Sequence, residues 1–253
     1  MKTATLYTIL LCAATAGFVG WRVHALRNHA TPHFEIVKDA SVSHGIGCES
    51  FVGLAERALQ SDGAAPGSTL TVLVLGDQST ANEPWLMGAY PIPTIRRVLE
   101  GRSEMLVRRT EILTELRNKC QLLRRPTTSP IFLGVKQAVA DLRAHGCNMA
   151  THCQLFVDSD LEENVETSIK KRLNPQRGGT SVLPSPINND GIDITFCGLA
   201  VTAGRIVDPS GREIRSAAPR NSRREDRLRE VWLSLFTKPE TVRFEPYCPQ
   251  SLK

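Results

Sequence analysis

The sequence has no CxxC pair, no GxSxG elbow, no GxxxxGK phosphate loop and no GxGxxG turn. These absences exclude the common serine-hydrolase, nucleotide-triphosphate and dinucleotide-binding signatures. The spacing Cys147-x5-Cys153, with His145 and His152 beside it, is a poor zinc pattern. Charge of one sign is not in excess. The formal net charge is +5, and Lys2, Arg22 and Arg27 near the N-terminus supply three of those charges. That balance does not argue for nucleic acid. The arginine-rich stretch from Arg205 to Arg229 is interleaved with Asp208, Glu213, Glu225 and Asp226 and reads as a solvated loop and helix face. No internal repeat is visible. With 41% hydrophobic and 23% charged residues, the chain belongs to the globular class.

What is present begins with an export or anchor signal. Lys2 precedes an apolar segment from Leu6 to Trp21, and Arg22 follows it directly. Its sixteen residues lie at the short edge for a membrane span, which needs roughly 17–25. The flanking charge favours an uncleaved anchor over a cleaved signal peptide. Six cysteines lie beyond it: Cys48, Cys120, Cys147, Cys153, Cys197 and Cys248. An even number behind an export signal fits disulfides in an oxidising extracytoplasmic space, periplasmic or secreted. Fifteen full pairings are open. Cys147 and Cys153 are near enough for a local bridge, whereas Cys197 also reads as a small core residue.

The chain divides into residues 1–29 (signal or anchor), 30–47 (linker) and 48–253 (one α/β domain). Within the linker, Phe34 to Val37 is expected as a short edge strand. A helix is expected over Cys48 to Gln60. The dominant run is Thr69 to Thr80, where Leu70 and Val72 to Leu75 lead into Gly76, Asp77, Gln78, Ser79 and Thr80. Such a run reads as a strand buried on both faces, delivering an acid and hydroxyls at its carboxyl end. Residues 81–103 are broken by Pro and Gly and read as a loop carrying Trp85, Leu86, Met87 and Tyr90. Helical spacing is clear over Glu104 to Leu123. It is clear again over Ile131 to His145, with Ser129 as expected N-cap, Pro130 in the first helical position and Gly146 as terminator. Further strands are expected over Gln154 to Val157, Ile192 to Ala200 and Thr241 to Phe244, and helices over Asn164 to Leu173 and Ser222 to Phe236. Arg205 to Arg220 reads as a loop. The alternation of strands and helices predicts an α/β, Rossmann-like three-layer sandwich with a mostly parallel sheet.

Three loops carry oxygen donors: Asp77 and Ser79; Thr127, Thr128 and Ser129; and Asp158 and Asp160. Carboxylates and hydroxyls converging in a cleft suit a hard divalent cation. This order resembles the von Willebrand factor A family. There, one strand ends in Asp-x-Ser-x-Ser, a Thr or Ser opens a later helix, and an Asp follows a further strand, together forming a metal-ion-dependent adhesion site. The resemblance implies metal ligation by Asp77, Ser79, Thr128 or Ser129, and Asp160, with Mg²⁺ (or Mn²⁺ or Ca²⁺) as cofactor. The sequence departs from the pattern at Ala81, which stands at the third motif position and cannot ligate. It also shows no clear hairpin after the first helix.

The resemblance implies a binding module that engages a protein partner, tethered to a membrane by its N-terminal segment, with no nucleic acid involved. The alternative is a metal-dependent hydrolase acting on phosphate or ester substrates. The missing hydrolase motifs, and the lack of a second Asp in Asp77-Gln78-Ser79, lean against an enzyme.

Overall fold

The computed structural model describes Gly17 and residues 31–40, 47–61, 67–75, 85–94, 101–123, 128–163, 165–173, 182–198, 205–207, 213–215 and 222–248. Six strands form one sheet in the order β3-β2-β1-β4-β5-β8. They are β1 (Phe34–Asp39), β2 (Thr69–Leu75), β3 (Trp85–Pro91), β4 (Cys153–Asp158), β5 (Ile192–Cys197) and β8 (Val242–Glu245). All neighbours are parallel except β2 and β3, which form an antiparallel hairpin. The hairpin uses residues expected as loop, and it supplies the element whose absence marked a departure from the family pattern. A separate antiparallel pair, β6 (Arg205–Val207) with β7 (Glu213–Arg215), lies in the other stretch expected as loop.

Phe34 to Val37 is not at an edge. β1 is an interior strand between β2 and β4, and all six of its residues are buried. The strand after Ser68 is therefore the second of the sheet, one position removed from the centre.

Side-chain alternation sorts the two faces. Phe34 and Ile36 of β1, Leu70 and Val72 of β2 and Phe156 of β4 pack with α1 (Cys48–Leu59) and α2 (Arg102–Gln121). Val37, Leu73, Leu75, Leu155 and Val157 pack with α3 (Ile131–Ala144) and α5 (Ser222–Leu233), and Ile169 of α4 (Thr167–Leu173) joins them. Trp232 is fully buried there, its ring centroid 5.4 Å from that of Phe196, and its Nε1 donates to the Leu161 carbonyl at 3.1 Å. The molecule is thus the expected three-layer α/β sandwich with a mostly parallel sheet, a Rossmann-like arrangement.

Three disulfides fix this frame: Cys48–Cys120 ties α1 to α2, Cys147–Cys153 closes the turn before β4, and Cys197–Cys248 joins the end of β5 to the chain beyond β8. Cys197 is both buried and bridged, so the sulfur in the core strand is not a free thiol. Three disulfides accord with an oxidising compartment. Among the described residues, no helix is long and apolar enough to cross a membrane. The apolar segment Leu6 to Trp21, apart from Gly17, lies outside the described residues.

Candidate metal centre

The site follows from the order in which the strands are laid down. From β1 the chain moves through α1 to β2 on one side. It then returns through α2 and α3 to β4 on the other side of β1. Strand order reverses between β1 and β4, and in open α/β sheets the crevice outside the carboxyl ends of such a pair is where ligands bind. The residues at that place are Asp39, at the end of β1, and Asp158, Ser159 and Asp160, at the end of β4.

They divide by face. On the α3 side, the Ser159 hydroxyl donates to Asp39 Oδ2 at 2.9 Å, and both side chains are fully buried. The Leu161 amide donates to Ser159 Oγ at 3.0 Å, and the Glu162 amide to Asp160 Oδ1 at 3.0 Å. Asp160 is 1% exposed. Leu161 holds φ +62, an uncommon conformation for a branched side chain, which marks a loop held by its surroundings.

The amino end of α3 meets the same loop. Ser129, 1% exposed, does not serve as the expected side-chain N-cap; Pro130 stands at the cap position, and no cap bond is made there. The cap comes instead from across the fold. Glu163 Oε2 accepts the Phe132 amide at 2.7 Å, while its Oε1 accepts the amides of Val165 and Glu166. Burial raises the Glu163 pKa and those amide bonds oppose the rise. Glu163 thus pins the loop bearing Asp160 against the helix start bearing Ser129. Glu162 turns outward to Arg224 at 2.6 Å.

On the α1 side lies a buried ion pair. Lys38 Nζ donates to Asp158 Oδ2 at 2.8 Å, with both side chains 1% exposed. The Ser50 hydroxyl from α1 donates to the same oxygen at 3.0 Å. Cys248 Sγ lies 3.2 Å from Asp158 Oδ1, a contact without a hydrogen bond because that sulfur is bridged to Cys197. Among the described residues, the one trio of metal-type side chains brought together is Asp158, Cys197 and Cys248. It does not fit a metal, since the sulfurs offer no thiolates and the Lys38 ammonium occupies the carboxylate.

The α3-side donors do fit a hard cation. They are the carboxylates of Asp39 and Asp160 and the hydroxyls of Ser129 and Ser159, all oxygen and all removed from water. Thr128 stands next to them in sequence, half-buried. Of the residues expected from sequence, Asp160 and Ser129 are on loops that the Glu163 bonds hold together. Asp77 and Ser79 lie outside the described residues, two and four positions after the end of β2. Asp39 was not among the expected ligands. The signal for it is nonetheless complete in the sequence. Asp39-Ala40-Ser41-Val42-Ser43 satisfies Asp-x-Ser-x-Ser at every position, where the run from Asp77 fails at Ala81. Ser41 and Ser43 lie outside the described residues. A groove of about 670 Å³ runs along the outer face of α2 and includes none of these groups.

No family model matches the chain, and no curated protein matches it. Among solved structures it is similar to the manganese-loaded Plasmodium vivax TRAP protein. The identity is 12% and the TM-score 0.40, over 86% of this chain and 69% of that one. Likeness at that level assigns no residues, and the site above rests on the strand order and contacts of this chain alone.

Proposed function

We propose that the chain is an exported or membrane-anchored binding module. It engages a protein partner through a divalent cation at the carboxyl ends of β1 and β4. The ligands are Asp39 and Asp160, with hydroxyls from Ser41, Ser43 and Ser129 or its neighbour Thr128. The cation is Mg²⁺, with Mn²⁺ or Ca²⁺ as substitutes, because every donor is oxygen. When bound, it supplies an open coordination position for an acidic group of the partner. The observation that carries this reading is the placement of Asp39. A complete Asp-x-Ser-x-Ser run begins at the end of the central strand, beside the strand-order reversal, and its acid is hydrogen-bonded to the loop that holds Asp160. The apolar segment Leu6 to Trp21 supplies the tether.

The test is a thermal melt in EDTA and then in Mn²⁺ or Mg²⁺. A cation at 100 times its Kd adds about 2.7 kcal/mol, a rise of about 5–10 °C for a domain of this size. The rise is expected in the wild type and in Asp77→Ala, and it is lost in Asp39→Ala. Loss in Asp77→Ala with retention in Asp39→Ala would move the site to the loop after β2. No rise in the wild type would remove the cation from the reading.

A further inference from the structure

The Cys197–Cys248 disulfide stands apart from the other two by where it lies. Cys147–Cys153 closes a tight turn at the amino end of β4, and Cys48–Cys120 joins two helices on the α1 side. Cys197–Cys248 sits under the candidate metal centre and touches it twice. Cys197 ends β5 in register with Asp158, and its carbonyl accepts the Ser159 amide at 3.0 Å. Cys248 presses its sulfur against Asp158 Oδ1 at 3.2 Å, opposite the oxygen held by Lys38 and Ser50. Asp158 is therefore bonded at Oδ2 and touched by sulfur at Oδ1, the Ser159 amide is bonded to the Cys197 carbonyl, and the Ser159 hydroxyl is the group that bonds Asp39.

We infer that this disulfide is a positioning clasp of the cation site, so that tight cation binding requires the oxidised chain. The inference rests on the metal reading above. Outer groups that orient metal ligands typically contribute 10–100-fold to affinity. The clasp bears on Asp158 and Ser159, the two residues that precede the proposed ligand Asp160. Opening the bond takes two electrons and two protons. A dithiol reductant is oxidised to its own disulfide, while Cys197 and Cys248 become separate thiols. The thiol of Cys248 is then no longer tied to β5, so a bond it donates to Asp158 no longer carries the last strand's hold to the loop. Cation affinity thereby reports the redox state of the compartment.

Mn²⁺ titration calorimetry on the full chain tests this with the paired variant Cys197→Ala/Cys248→Ala, and Cys147→Ala/Cys153→Ala as the control. The expected result is a Kd at least tenfold weaker in the first variant and within threefold of wild type in the second. Equal affinity in wild type and the first variant overturns the clasp and leaves the metal reading intact. Equal weakening in both variants also overturns it, since any lost disulfide then suffices. A wild type that binds no Mn²⁺ overturns the metal reading, and the clasp with it. Should the first variant not fold, wild type opened at this bond alone by a phosphine, identified by peptide mass, replaces it. Amide exchange gives an independent readout. The Ser159 amide is expected to exchange at least tenfold faster once the bond is open, and unchanged exchange overturns the clasp.

Discussion

Glu35 carries a carboxyl into the middle of the sheet. It sits on the interior strand β1, fully buried, and among the described residues neither of its oxygens has a hydrogen-bond partner. Its strand neighbours are Thr71 and Leu155, and the nearby Asp141 carboxylate comes from α3. Burial first, and Asp141 second, push its pKa up to about 9, so the side chain is neutral at pH 7. The folded state then holds a proton that the unfolded chain releases near the ordinary value of 4.5. Stability should be full below about pH 4.5 and fall as pH rises toward 9, by up to about 1.4 kcal/mol per pH unit. Glu35→Gln keeps the shape and removes the titration. Urea melts of both proteins at pH 5, 7 and 8.5 should show a falling midpoint in the wild type and a flatter one in the variant. Parallel slopes would mean that Glu35 is ionised in the fold.

At the scale of elements, the strands most legible in the sequence are those dominated by apolar residues. Leu70 to Leu75 is apolar but for Thr71, Gln154 to Val157 but for Gln154, and Ile192 to Cys197 but for Asp193 and Thr195. β1 reads FEIVKD, and its interior place is hidden because three of its six residues are ionisable. Each is accommodated by something the sequence does not display: Lys38 by Asp158 on the next strand, Asp39 by the Ser159 hydroxyl, and Glu35 by holding its proton. Read only as a short edge strand over Phe34 to Val37, β1 leaves the Asp-x-Ser-x-Ser run at its end unread, and the same pattern after β2 begins at Asp77, outside the described residues. The cap of α3 was hidden likewise, because Glu163 is 31 positions from Phe132. Turn chemistry was easier to read. Gly146 ends α3 with φ +88, as expected. Gly191, before β5, holds φ +74, and a Cβ there would fall on the backbone of Asn148. Its carbonyl accepts the Cys153 amide at 3.0 Å, so the turn cannot simply move away. Gly191→Ala should therefore cost about 2–4 kcal/mol, combining backbone strain with overpacking. A shift in denaturation midpoint corresponding to less than about 1 kcal/mol would show that the turn relaxes.

For the whole molecule, the disulfides decide how much chain freedom remains when the sheet melts. No sequence rule selects among their fifteen pairings, because each depends on which elements share a face. By loop length, Cys48–Cys120, 72 residues apart, should contribute about 4 kcal/mol, and Cys147–Cys153, six apart, about 2 kcal/mol. Denaturation of Cys48→Ala/Cys120→Ala beside Cys147→Ala/Cys153→Ala measures the difference. A larger loss from the shorter loop would show that native packing, rather than loop length, sets the contribution.

The chain enters the sheet at the amino end of β1, and Cys248 lies beyond the carboxyl end of β8. The two strands run in the same sense through β4 and β5. Tension applied between the chain before β1 and the chain beyond Cys248 would therefore act along the strands. It would shear whole ladders of hydrogen bonds at once instead of peeling them singly. β8, only four residues long, would be the weakest rung under such a load. The bridge from Cys248 to Cys197 bypasses it and passes the pull directly to β5, inside the sheet.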